Sequence, residues 1–108
     1  MAAATAVVVS QDNDSFRGLF SDTWQVSATL DAGSLVDGAG ETDTVAVPGV
    51  KLGDMVIGCS FAVDEAGLSV TAYVSAASVV SIRVQNESGG TVDLASCKIR
   101  LVVVRTIT

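Results

Sequence analysis

Residues 68–86, LSVTAYVSAASVVSIRVQN, decide the fold class. Leu68, Val70, Ala72 and Val74 alternate with Ser69, Thr71 and Tyr73. After the small-residue break Ser75–Ser78, Val80, Ile82 and Val84 alternate with Ser81, Arg83 and Gln85. A repeat of two belongs to a pleated strand, whose successive side chains leave by opposite faces. Two such runs joined by a short turn predict neighbouring strands with one face in a core and the other in water. Valine, the main apolar residue here, suits that surface because its branched Cβ packs well on a pleat.

The same alternation extends outward in both directions. In 22–30, DTWQVSATL, Trp24, Val26, Ala28 and Leu30 share one face. The Gly-, Asp- and Ser-rich segment 31–41 reads as a loop, and a strand over 42–47 stops at Pro48-Gly49. A strand over 54–61 is expected to turn Met55, Ile57, Cys59 and Phe61 to one side, with Gly58 on the other where another backbone comes close. The last and longest strand, Cys97–Thr106, sets Ile99, Leu101 and Val103 on one face and Arg100, Val102 and Val104 on the other. Apolar residues on both faces mean a strand that is either central in the fold or covered by a partner. About six short strands with no helical period imply an all-β chain, a small antiparallel β-sandwich of jelly-roll-like kind.

The first 21 residues lack this pattern. Val7, Val8 and Val9 precede a polar break, and Phe16, Leu19 and Phe20 cluster after it, with Gly18 between. The expectation is an extended N-terminal arm, 1–21, ahead of a β-sandwich domain, 22–108. Its apolar anchors gain order by docking on something, and fully stretched it reaches roughly 70 Å. Val7, Val8, Val9, Phe16, Leu19 and Phe20 are the arm's candidate contacts. Val102 and Val104 are the candidates on the domain.

Composition narrows the function. Hydrophobic residues make up 49% and charged residues 17% of the 108, which suits a folded chain. A net charge of −6 argues against nucleic acid, whose recognition needs clustered Lys and Arg. No apolar run approaches the roughly 20 residues of a membrane-spanning helix. The apolar start, 1–9, lacks the basic region of a secretory signal, so synthesis and assembly in a cytoplasm without export are expected.

Catalytic groups are sparse. With no His, neither a Ser–His–Asp nor a Cys–His device can be built. Cys59 and Cys97 read as two small buried hydrophobes or as a single bridge, and are too few for a zinc site. Asp64-Glu65 falls in a turn, and Asp12-Asn13-Asp14 lacks the further oxygen ligands that calcium needs. Gly38-Ala39-Gly40 opens like a phosphate loop, but Asp43 replaces the third Gly and no helix follows. Asn86-Glu87-Ser88 fits a glycosylation acceptor and reads most simply as a turn. No catalytic, metal or cofactor site is expected, and the chain is not expected to be an enzyme. Tyr73, an outward aromatic, is a candidate surface-binding residue or a cross-strand packing residue.

One stretch carries a resemblance. Residues 47–96 contain Pro48-Gly49, Leu52-Gly53-Asp54, Gly67-Leu68, Tyr73-Val74-Ser75, Val84-Gln85-Asn86 and Gly89-Gly90-Thr91-Val92-Asp93. This order resembles a β-module of tailed-phage virion structural proteins, such as capsid decoration (cement) proteins. It covers about half of the chain and brings no catalytic residues with it. The resemblance implies a small β-domain on the capsid exterior of a virion, a homotrimer, with the major capsid protein and its own copies as partners. The alternative is a receptor- or glycan-binding module of a tail or capsid fibre.

Overall fold

The computed structural model describes residues 5–11 and 20–107, and within the first stretch the side chains of 7–9 only. Seven strands follow in order: β1 (Thr5–Gln11), β2 (Phe20–Leu30), β3 (Gly40–Ala46), β4 (Met55–Phe61), β5 (Ser69–Ala76), β6 (Val79–Gln85) and β7 (Cys97–Thr106). They form two antiparallel sheets, β1-β2-β7-β4 and β3-β6-β5. The chain crosses between sheets after β2, β3, β4 and β6 and stays in one sheet only at the β1–β2 connection and the β5–β6 hairpin. That interleaving makes a jelly-roll-like β-sandwich.

The period-two faces meet in the middle. Trp24, Val26, Ala28 and Leu30 of β2 and Cys97, Ile99, Leu101 and Val103 of β7 close on Val80, Ile82 and Val84 of β6, and all belong to one core. Val45 and Val47 add a third apolar side, and Asp43, in the same alternation, is also fully buried.

Several details depart from the sequence expectation. The stretch read as an arm supplies an edge strand, because Thr5–Gln11 pairs with Gln11↔Trp24 to Thr5↔Thr29 of β2. The surface it docks on is therefore this chain's own sheet. β2 starts at Phe20, two residues earlier than its alternation suggested, and β3 starts at Gly40. In β4 the register shifts between Val56 and Gly58, so Ile57 is an extra residue that stands 51% exposed. Val56, Cys59 and Phe61 consequently pack on the core, while Met55, on the far side of the shift, faces out. A bulge of this kind flips the alternation, which no period of two reveals.

Candidate functional site

The outer face of the four-stranded sheet is built from residues opposite the core set. β7 lies between β2 and β4, so its outward residues form rows with theirs: Ser27↔Arg100↔Ser60, Gln25↔Val102↔Gly58 and Thr23↔Val104↔Met55. β1 adds Val8 beside Ser27. Val8 and Val102 together wall an open, mainly apolar cleft of about 250 Å³, with Gln25, Ser27 and Arg100 around it. Arg100 is exposed and makes no ion pair with another described residue. The cleft thus offers apolar surface and one unshared cation.

The candidate contacts separate into groups. Val8 is 64% exposed, and Val102 is half-buried in the same cleft. Val7 and Val9 point the other way and pack on this chain's core. Phe20 is half-buried where β2 opens opposite Thr106. Phe16 and Leu19 lie outside the described residues. Val104 is a correction: it is 0% exposed, between buried Thr23 and Met55, and is closed to a partner. Of the two meanings of an apolar second face, the central strand holds for Val104. Tyr73 stands 45% exposed on the outer face of the three-stranded sheet, opposite Ser81.

Beside this face a polar clasp holds the end of the sandwich. The Arg105 guanidinium donates from Nε to Asp54 Oδ1 at 2.9 Å and from Nη2 to Asp54 Oδ2 at 2.8 Å. It also reaches Asp22 Oδ2 at 3.2 Å and the Gly49 carbonyl at 3.0 Å, and it stacks 5.2 Å from the centre of the Trp24 ring. Two-pronged pairing to a carboxylate is the strongest form of charge-assisted hydrogen bond. Asp54 Oδ2 accepts a further bond from the Lys51 amide at 2.8 Å, which closes the turn that follows Pro48-Gly49. The side-chain bond from Arg105 is the main cause holding the Asp54 carboxyl below its ordinary value of 3.8, and Asp54 in turn raises Arg105. Gly49 sits at φ +99, a backbone conformation that suits Gly, whereas a Cβ there would meet the Trp24 indole only at ordinary contact distance.

A second polar knot sits at the opposite loops. Asn86 is fully buried. Its amide nitrogen donates to the carbonyls of Leu35 at 2.7 Å and Gly90 at 2.8 Å, and its oxygen accepts from the Ser88 amide and hydroxyl at 3.0 and 2.7 Å. The turn reading of Asn86-Glu87-Ser88 therefore holds, since this side chain is consumed inside the fold. The cysteines are both free thiols. Cys97 pairs across β2 with Leu30 and Cys59 pairs across β7 with Leu101, so they stand four residues apart along β7. Burial first, then the nearby Glu65 carboxylate, pushes the Cys59 thiol up to about 11, which keeps it protonated and unreactive at neutral pH.

Sequence reasoning gave Arg105 no role, placed Asn86 in a turn, and saw neither knot. Only the register Asp22↔Arg105 and the return of the 48–54 loop bring the clasp together. Asp54 and Asn86 do fall in the motifs that carry the phage-module resemblance, and that was the available signal. Among the described residues no cluster of His, Cys, Asp or Glu is arranged to hold a metal ion. No protein-family model, curated protein or solved structure matches the chain.

Proposed function

We propose that this chain is a structural virion protein that decorates the exterior of a tailed-phage capsid and bridges neighbouring major capsid subunits. The observation that carries the proposal is the open apolar cleft at Val8 and Val102 on the outer face of the four-stranded sheet. Two positions chosen from sequence as contacts, far apart in the chain, wall one surface there. Exposed apolar surface rimmed by polar groups is the usual form of a protein–protein contact. Arg100 at its wall is suited to an acidic group of the capsid subunit. The motif order across 47–96 supplies the virion setting.

Antibody-gold labelling of intact particles tests the setting. Dense label over heads is expected, and absence of the antigen from particles overturns the proposal. A Val8→Asp variant tests the surface: it should label heads at least about tenfold less, since a charge in a desolvated contact costs more than 1.4 kcal/mol. The half-exposed Tyr73 favours a second reading, a receptor- or glycan-binding module, in which label is confined to tail or fibre tips and depends on Tyr73.

A further inference from the structure

Four strands bound the two sheets: β1 and β4 in one, β3 and β5 in the other. A free edge is a row of unpaired N–H and C=O groups, and proteins usually blunt it with charge, Pro or a bulge. β1 shifts register between Thr5 and Val8, and β4 between Val56 and Gly58. β3 carries Glu41 and Asp43. β5 holds no charge and no Pro, and its register shift, between Val74 and Ala76, falls at its far end, so that Ser69–Val74 stays in unbroken register with β6, a longer regular run than β1 or β4 keeps. Alongside it runs an open cleft of about 280 Å³ between the two sheets, walled by Val56, Ile57 and Cys59 of β4 and Val70, Thr71 and Ala72 of β5.

The strand is also self-complementary. Taken antiparallel to a copy of itself about Ala72, β5 sets Val70 against Val74 and Thr71 against Tyr73, all within its unbroken run. The inward residues Val70, Ala72 and Val74 then meet only their like, and the outward Thr71 and Tyr73 meet in water. No charge of this acidic chain falls in the contact.

We propose that β5 is a dimerisation edge, at which a second copy of this chain adds its own β5 antiparallel about Ala72. The two three-stranded sheets join into one, in the order β3-β6-β5-β5-β6-β3. Inward valines of each copy enter the cleft beside β4 of the other. The contact is two-fold, consumes both open edges and so closes on itself. Backbone hydrogen bonds supply the affinity, and the alternating side chains fix the register. The inference does not rest on the virion reading, and its two-fold dimer stands in place of the homotrimer that the resemblance implied.

Sedimentation equilibrium at about 100 µM, a concentration at which even a weak complex is populated, tests it on the full chain. The expected mass is twice the 10.9 kDa of one chain. The double variants Thr71→Glu/Tyr73→Glu and Thr71→Lys/Tyr73→Lys, both at exposed positions, set like charges opposite each other across the two-fold and should each give monomers with unchanged circular dichroism. Because position 71 of one copy faces 73 of the other, an equimolar mixture of the two variants should recover the dimer. A wild-type monomer, a trimer, or a mixture that stays monomeric overturns the proposal. Should either variant lose its fold, amide exchange on the unaltered protein decides: exchange over Ser69–Ala76 slows with rising concentration if β5 pairs, and a rate independent of concentration overturns the dimer.

Discussion

Arg105 gathers a carboxylate from the β4 entry, a carboxylate from β2, a loop carbonyl and the Trp24 ring around a single guanidinium, so its effect on stability depends on protonation of Asp54. The Asp54 side chain is only 5% exposed. Its carboxyl is held below 3.8 in the folded chain. A depressed folded value means that the added stability is complete above the unfolded value and is lost as pH falls through the lower, folded one. Asp54→Asn is therefore expected to cost about 2 kcal/mol near neutrality and to flatten the decline of stability below about pH 4. Urea titrations followed by Trp24 fluorescence at neutral and acid pH measure both. An unaltered acid decline in the variant contradicts this account. At this scale the sequence was legible for side chains whose alternation decides their burial, such as Trp24, Val26 and Ile99. It was not legible for Arg105 or Asn86, whose partners lie 51 and 83 residues away for Arg105 and up to 51 for Asn86.

At the scale of elements, β1 and β4 show opposite behaviours of an edge. β1 is joined to the sheet by one neighbour alone, yet Val7 and Val9 pack on the core. Removing residues 1–11 would uncover that apolar area and leave β2 as the edge. The expected loss is roughly 2–4 kcal/mol, from two partly buried valines at about 1–2 kcal/mol each. It should appear as a lower urea midpoint together with faster amide exchange in β2, and an unchanged midpoint would show that β1 adds nothing to the fold. β4 keeps its neighbour but breaks its own alternation at Ile57. Gly58 lies just past that break, and a Cβ there would meet nothing within 4 Å among the described residues, so crowding by them does not explain the Gly. The sequence reading that Met55, Ile57, Cys59 and Phe61 share one face failed at this bulge, since one inserted residue changes faces without changing composition. β7, by contrast, was read with its observed bounds, because both of its faces are apolar and its length is set by the sheet it crosses.

For the molecule as a whole, the two sheets share one core, with residues from β2, β3, β6 and β7 in a single cluster. Neither sheet can keep its buried face without the other, so unfolding should be one cooperative step. Trp24 is the only tryptophan and lies in that core at the clasp. Its fluorescence and far-ultraviolet circular dichroism are expected to report coincident transitions, and separated midpoints would mean that the sheets unfold independently. The alternation of small polar and apolar residues by itself determined the class of fold, the core faces of β2, β5, β6 and β7, and the turns between them, because burial on a pleat is a local property with a period of two. The tertiary structure alone decided which strands neighbour one another, that residues 5–11 complete a sheet, that Val104 is closed while Val8 and Val102 share a cleft, and that Arg105 meets Asp54. Those are matters of register and of contacts between distant segments, which a one-dimensional pattern does not contain.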